Sequence, residues 1–575
     1  MAKRRRSRSF DSENWSYKEQ ASSSGDSEIE DASFGLKSKP STSHKRTLTV
    51  KRKKPKADAS TSHISDVQEG YVDVPHHPKS AHSISSPAVL RTALLKWYKT
   101  VHDIRGMPWR RPYDPNLGPD ERAQRAYEVW ISEIMLQQTQ VATVIPYYNC
   151  WMEKFPTIRD LAGATIDEVN RLWKGLGYYS RASRLLIGAQ KAVRDYDAKL
   201  PDNAKDMEAN IPGIGRYSAG AICSIAYGEP VPVLDGNVHR LLSRVLALHA
   251  PPKAKSTLDI LWTAARTMVE IEDISVQSSS STELRDPDFQ TPQYPGDINQ
   301  ALIELGSTVC KVREPDCPGC PLRPWCSGYQ NSVSTNERAD TLIDIEDSCR
   351  ICEPVLAPVG VTSYPMKADR KKAREELDVV HVIEWHPKTN PDNRLFLMIR
   401  RPESGLLAGL YDFPASVDVP ANITRRDQEA MPSEILSHLV QGGAFLPSKP
   451  SNRTAVGNSP SQTEVLIIAK IKPVGDVLHI FSHIKKTYRV QWVVLEGGVS
   501  PPAFLENQSL YNECPNKKPK KKKRAVKDVN VKPQINDQKA AIWVPLEEVM
   551  ETNMGSGVVK VWNITKKLWE SPTDS

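Results

Sequence analysis

The sequence predicts two folded domains of different class behind a disordered tail: an all-α domain over 86–330 and an α+β domain over 377–575. Three observations carry this. Apolar residues recur at helical spacing in the first region, beginning with Leu90, Leu94, Leu95, Trp97, Tyr98 and Val101. From about 377 the pattern changes to short β-branched runs: VVHVIEW (379–385), RLFLMIR (394–400), EVLIIAKI (464–471) and YRVQWVVLE (488–496). Residues 1–85 hold 18 serines and few aromatics, too little apolar surface to offset the entropy of ordering.

Within the first region, RAYEVWISEIMLQQTQVATVIPYY (125–148) is a long amphipathic run, and Thr165 to Glu168 has capping-box spacing before another helix. RASRLLIGAQKAVRDY (181–196), NVHRLLSRVLAL (237–248) and DINQALIELGSTVC (297–310) are helical, and 207–227 reads helix, hairpin, helix. Residues 273–296 look like an inserted loop and 331–376 like a connector. The second domain carries a Lys/Pro-rich insertion over 500–538 and closes with helical stretches at 545–552 and 558–570.

The 575 residues carry a net charge of +8, but its location matters more. The tail contributes +5 (16 Lys/Arg, 11 Asp/Glu) and KKPKKKKR (517–524) contributes +7, which leaves −4 for the rest. Nucleic-acid contact by a folded domain must therefore come from a local face. No run of about 18 apolar residues argues for a membrane span, and MAKRRRSRSF has no apolar signal region. The nine cysteines are then expected to be reduced, in the cytosol or nucleus, where clusters of them mean metal or redox chemistry. KRRRSR (3–8) and KRKKPK (51–56) point to nuclear import or phosphate contact, with a solvated tail as the plainer reading; nuclear import is the expectation, with mitochondrial delivery left open.

Three places carry chemistry. Cys310-x6-Cys317-x2-Cys320-x5-Cys326 puts four thiols within 17 residues, which need a shared partner. Spacing alone leaves zinc and an iron–sulfur cluster both open. IPGIGRYSAGA (211–221) places Gly213 and Gly215 just before a helix, where backbone amides can hold a phosphate. About 20 residues on, VLDGN puts Asp235 before a helix, with an ordinary N-cap as the simpler reading. Glu133 stands among Trp130, Ile134, Met135 and Leu136. That setting would raise its pKa and suit a general acid; an exposed helix-face carboxylate is the plainer alternative.

Taken together, the helix–hairpin–helix, the aspartate after it and the cysteine loop resemble base-excision glycosylases of the endonuclease III type. MPWR (107–110), VWISEIMLQQTQVATVIPYY (129–148) and GLGYYSRA (175–182) narrow the resemblance to the adenine DNA glycosylases, the MutY family, over most of 88–330. The resemblance implies a 4Fe–4S cluster on the four cysteines. It also implies removal of adenine mispaired with 8-oxoguanine or guanine. Glu133 matches the acid that protonates adenine N7, and Asp235 the carboxylate that stabilises the sugar cation; Tyr217 and Asn237 match residues that position these two. Tyr217 stands where bifunctional members carry a Schiff-base lysine, so a monofunctional enzyme is expected. Arg105, Met107, Trp109, Arg110 and Gln300 match the adenine pocket, with Met107 where leucine is commoner. Gln138 and Tyr178 match side chains that wedge into the duplex.

RRPESGLLAGLYDFP (400–414) and Phe481-Ser482-His483 extend the resemblance to a Nudix-like C-terminal domain, in which the latter three match a loop that reads 8-oxoguanine. A Nudix pyrophosphatase box is absent, so nucleotide hydrolysis is not expected. Double-stranded DNA is the implied substrate, and sliding clamps (PCNA and the checkpoint clamp) and mismatch-repair proteins are implied partners of what is expected to be a monomer. Asp344-Ile345-Glu346 resembles a clamp-binding segment, with an acidic linker as the plainer reading. Cys349-x2-Cys352 is half a zinc site. The remaining ligands are sought among His76, His77, His82, Cys223 and His249. The resemblance allows a zinc link between the domains, but Ser243 stands where its third cysteine is expected, and two free thiols in a linker are the simpler expectation. A silent mismatch-binding protein and a zinc-bearing nucleic-acid module remain the competing functions.

Overall fold

The computed structural model describes residues 77–271, 293–333, 344–355, 359–368, 372–402, 407–441, 466–505 and 541–570, apart from 345, 388, 482 and 483. Twelve helices among these build the first domain: α1 (Pro87–Val101), α2 (Pro119–Leu136), α3 (Val141–Lys154), α4 (Ile158–Gly163), α5 (Ile166–Trp173), α6 (Ser180–Asp195), α7 (Ala204–Asn210), α8 (Arg216–Ile222), α9 (Gly236–Val245), α10 (Lys255–Val269), α11 (Pro295–Thr308) and α12 (Ser327–Val333). Their apolar faces close over one core in which Trp130, Trp151 and Trp173 are fully buried. The expected capping box starts α5: Thr165 Oγ1 accepts from the Glu168 amide, and the Glu168 carboxylate accepts from the Thr165 amide. No described helix is long and apolar enough to cross a membrane.

The second domain is α+β, as expected of a Nudix-like unit. Its strands are β1 (Arg374–His386), β2 (Leu395–Arg400), β3 (Tyr411–Asp412), β4 (Ala415–Ser416), β5 (Ile467–Phe481), β6 (Ile484–Glu496) and β7 (Ala541–Pro545). The sheet runs β3-β2-β1-β6-β5, with β4 on β1 and β7 on β2; β1 and β6 are parallel and the other pairs antiparallel. Alternate residues of β1 face opposite cores. Val380 and Val382 pack toward Val558, Val561 and Trp562 of α14 (Ser556–Glu570), whereas Ile383 and Trp385 pack with Leu436 and Leu439 of α13 (Arg425–Leu439). Covering both faces explains why VVHVIEW is nearly continuously apolar.

Several boundaries differ from expectation. The tail does not run to 85: Lys79–His82 form a 3₁₀ turn, His82 is buried, and Pro78 bridges to Ser348. Polar groups of this stretch pair with the connector, so it is ordered by long-range contacts rather than by its own apolar content. The loop expected over 273–296 ends earlier, because Pro295 opens α11. Helix α13 and strand β7 lie where no element was expected, and 545–552 forms a turn and a single 3₁₀ turn. The basic runs at 3–8, 51–56 and 517–524 lie outside the described residues, as do His76, Ile345, Ser482 and His483.

Candidate active site

Glu133 lies in the last turn of α2 and is only partly exposed. Burial pushes its carboxyl up to about 7; the Tyr217 phenol pulls the other way by donating to Oε2 at 2.9 Å. Arg110 also lowers it, and Asp235 is near enough to raise it. Tyr217 itself is held well above its usual value, by burial first and then by the Glu133 and Asp235 charges. The helix turns this carboxylate toward Tyr217 of the hairpin's second helix, with buried Trp130, Ile134 and Met135 around it in sequence.

Asp235 is both an N-cap and a member of this group. Its Oδ1 accepts from the Val238 amide at 2.7 Å, capping α9, and its Oδ2 accepts from Asn237 Nδ2 at 2.8 Å. Burial raises its pKa, and these two donors oppose that shift. Asn237 is fixed in turn by Arg240, whose Nη2 donates to Asn237 Oδ1 at 2.9 Å and to the Gly306 carbonyl at 2.6 Å, while Nε reaches the Cys310 carbonyl at 2.9 Å. A glycine is required at 306: a Cβ there would sit 2.7 Å from the Asn237 carbonyl oxygen. Close packing of α11 on α9 thus sets the position of Asn237.

Arg105 and Arg110 converge on Glu304, a carboxylate only 2% exposed, at 3.1 and 2.8 Å. Met107 and Trp109 are buried, with Trp109 edge-on to Tyr148 at 5.1 Å. Gln300 is buried and donates to the Gly296 carbonyl. At the hairpin, Gly213 has φ +87° and abuts Arg184, and Gly215 caps α8; both are exposed. The two expected wedge residues are exposed as well and share a backbone state: Gln138 has φ +57° and Tyr178 φ +48°. Such left-handed conformations cost energy in residues with a Cβ and persist where surrounding contacts impose them. Arg181 supplies those contacts. Its buried guanidinium donates to the carbonyls of Ile134, Met135 and Gln137 before one wedge, and of Leu176 and Gly177 before the other. In the second domain Phe481 ends β5, edge-on to His479.

The four loop cysteines line one cavity with Leu241, Val245, Val309 and Tyr329. Arg244, 2% exposed, places Nη1 3.3 Å from Cys310 Sγ and donates to the Lys311, Val312 and Tyr364 carbonyls, so a charged donor faces the thiols. Convergent sulfurs around an apolar, partly enclosed space fit a metal–sulfur group. Cys349 and Cys352 are not loose in a linker. They meet His77 and His82, and the four ligand atoms lie within 4.8 Å of one another. Cys223 and His249 are not members of this group, and Ser243 donates to the His239 carbonyl. Asp344 and Glu346 are exposed.

The family model for the HhH-GPD superfamily base excision DNA repair proteins matches residues 131–266. The adenine DNA glycosylase of Rattus norvegicus is 38% identical over 434 residues, 74% of this chain and 73% of that protein. That of Homo sapiens is 37% identical, covering 72% and 68%. This chain belongs to the adenine DNA glycosylase family. It is a hydrolase that cleaves the N-glycosidic bond of adenine in base excision repair. A solved thermostable thymine-DNA glycosylase aligns with 43% of the chain at 23% identity and a TM-score of 0.33.

Sequence reading missed three residues in this glycosylase: Glu304, Arg240 and Arg181. Only Arg181 left a signal, since it lies inside the GLGYYSRA motif. Glu304 reads as one more helix carboxylate in ALIELG, and nothing in sequence tells that two arginines from 105–110 fold onto it.

Proposed function

We propose that this glycosylase removes adenine opposite 8-oxoguanine or guanine and has no intrinsic lyase step. The observation that carries the reading is the grouping of Glu133, Tyr217, Asp235 and Asn237, each partly exposed, with the Tyr217 phenol 2.9 Å from Glu133. A carboxyl raised to about 7 keeps a substantial protonated fraction near neutral pH and can deliver that proton to N7 of an adenine flipped out of the stack. Loss of the protonated base leaves an oxocarbenium-like sugar. Asp235, held by two donors, stabilises that cation, and Asn237 and Tyr217 orient the two carboxyls. Arg105, Met107, Trp109, Arg110 and Gln300 shape the adenine pocket, and Gln138 and Tyr178 occupy the gap left in the duplex. Gly213 and Gly215 hold a backbone phosphate. Phe481, Ser482 and His483 read the opposite base, and clamps dock at Asp344–Glu346. The test is adenine release from duplexes with A opposite 8-oxoguanine, with alkali added in a separate arm. Release with strand scission only after alkali supports the reading; scission without alkali, or no release, overturns it.

The cysteine loop is assigned a 4Fe–4S cluster, held by Cys310, Cys317, Cys320 and Cys326. Among the described residues, the group whose ligand atoms are near enough to share one ion is a different one, His77, His82, Cys349 and Cys352, which favours a multi-atom group over a single ion at the loop cysteines. The cluster would act there as a covalent cross-link of the loop whose first cysteine carbonyl anchors Arg240.

The second group supports a separate structural zinc ion with His₂Cys₂ ligation. His82 Nδ1 lies 2.9 Å from the Leu246 carbonyl, which fixes the proton on that nitrogen and leaves Nε2 facing the thiols of Cys352 and Cys349 at 3.2 and 3.5 Å. An ion there would tie the segment before α1 to the connector.

A further inference from the structure

Helix α5 touches the C-terminal domain at both ends, and its last residues lead into the loop that carries Tyr178. At its start, the Asp167 carboxylate lies 3.6 Å from the Arg400 guanidinium of β2, and Asn553 Nδ2 reaches the Asp167 carbonyl at 3.3 Å and Oδ1 at 3.4 Å. At its end, Lys174 Nζ donates to the Met550 carbonyl at 2.6 Å. Apolar side chains that precede β3 join them: Leu410 is fully buried within the helical domain's core cluster, and Leu407 packs against that cluster. Four residues after Lys174 comes Tyr178. The chain between is rigid, because Tyr147 Oη donates to the Lys174 carbonyl, Trp173 Nε1 to the Gly177 carbonyl, and Arg181 to Leu176 and Gly177.

We infer that α5 is the docking helix through which the C-terminal domain acts on excision, and that Asp167 and Lys174 are positioning residues for opposite-base selectivity. Neither lies at the carboxylate site, so neither acts on the bond. Their contacts fix where the second domain stands relative to Tyr178, and so whether both touch the duplex at the same lesion. A small displacement at two polar contacts becomes a larger one at the far side of a domain that swings about its apolar insertion. The inference rests on the reading that the C-terminal domain senses the opposite base.

The experiment uses the full chain as wild type, Asp167→Ala, Lys174→Ala and the double variant. Single-turnover adenine release is measured opposite 8-oxoguanine and opposite guanine, and small-angle scattering reports the compactness of each free protein. The expected result is a fall in the 8-oxoguanine/guanine rate ratio of about tenfold in the double variant, for two polar contacts of ordinary strength. The rate opposite guanine is unchanged and the radius of gyration larger. An unchanged ratio, or equal losses on both substrates, overturns the inference. A wild type with no preference between the two duplexes defeats the underlying reading instead; scattering then decides docking alone, a variant as compact as wild type counting against it.

Discussion

The phenolic oxygen of Tyr217 stands 2.9 Å from Oε2 of Glu133, so the residue at the start of the hairpin's second helix is bonded to the carboxyl at the end of α2. This contact lowers the Glu133 pKa against the larger effect of burial, which brings it to about 7. Proton delivery needs the protonated form. The single-turnover rate is therefore expected to fall above pH about 7, approaching about tenfold per unit, and to fall again at acid pH as Asp235, whose pKa burial raises, takes up a proton. Glu133→Gln and Asp235→Asn should each cut the rate by about 10³ or more while mismatch binding stays within a few-fold. A Glu133→Gln enzyme with wild-type single-turnover rates removes that carboxyl from the chemistry.

Tyr217→Phe deletes the donor and leaves the burial. The Glu133 pKa then rises, because the hydrogen bond was a lowering contribution, and the alkaline limb of the pH–rate profile moves to higher pH. The maximal rate falls about three- to thirtyfold as the carboxyl loses its orientation. Tyr217→Lys places an amine beside the sugar carbon that loses the base. Borohydride trapping of that variant on abasic product should give a covalent adduct that the wild type does not form. Absence of the adduct would mean the side chain at 217 does not point at the reacting carbon.

Much of this site was legible in sequence because its parts are local. The capping box of α5, the hairpin glycines, the aspartate before α9 and the four-cysteine loop each declare themselves within 20 residues. Glu133 was legible for a physical reason too: Trp130, Ile134 and Met135 around it are all buried. What stayed hidden depends on long-range closure. The Arg105–Glu304 pair spans 199 residues and Arg240 to Cys310 spans 70, whereas His82, 270 residues from Cys352, was named only as one of several candidate ligands. A polar side chain whose partner is that far away looks like a solvated one. Strand β7 was hidden by the insertion before it, and α13 by weak amphipathicity with Pro432 inside the helix.

Arg181 holds the carbonyls before both Gln138 and Tyr178, the two proposed wedge residues, and its guanidinium also lies over the Trp173 ring at 5.1 Å. Arg181→Ala leaves several buried carbonyls without a donor, so a loss of about 2–4 kcal/mol of stability is expected from chemical denaturation. Arg181→Lys is the sharper variant. An ammonium has three donors and no planar fork, so it can serve one wedge segment but not both. It should fold, keep the fluorescence of its buried tryptophans, and lose about tenfold in affinity for mispaired DNA as Gln138 and Tyr178 leave their left-handed conformations. Wild-type affinity in a folded Arg181→Lys protein would mean that the loops hold themselves.

The pairing of His77 and His82 with Cys349 and Cys352 makes a specific forecast about metal content. Zinc needs four ligands near tetrahedral geometry, and these four side chains have their ligand atoms within 4.8 Å of one another, His82 already oriented by Leu246. Purified protein should contain about one zinc per chain in addition to iron. Cys349→Ser/Cys352→Ser should lose the zinc and keep the iron, because its cysteines are not those of the loop cavity lined by Cys310, Cys317, Cys320 and Cys326. His82→Ala should do the same from the opposite side of the site, which separates a shared ion from a chance grouping of thiols. Removing zinc frees the segment before α1 from the connector, so limited proteolysis should cut near Ser83 or Arg350 in the variants and in chelator-treated wild type, but not in the zinc-loaded protein. Zinc equal in all three proteins, or absent from the wild type, would leave these side chains as a hydrogen-bonded cluster and nothing more.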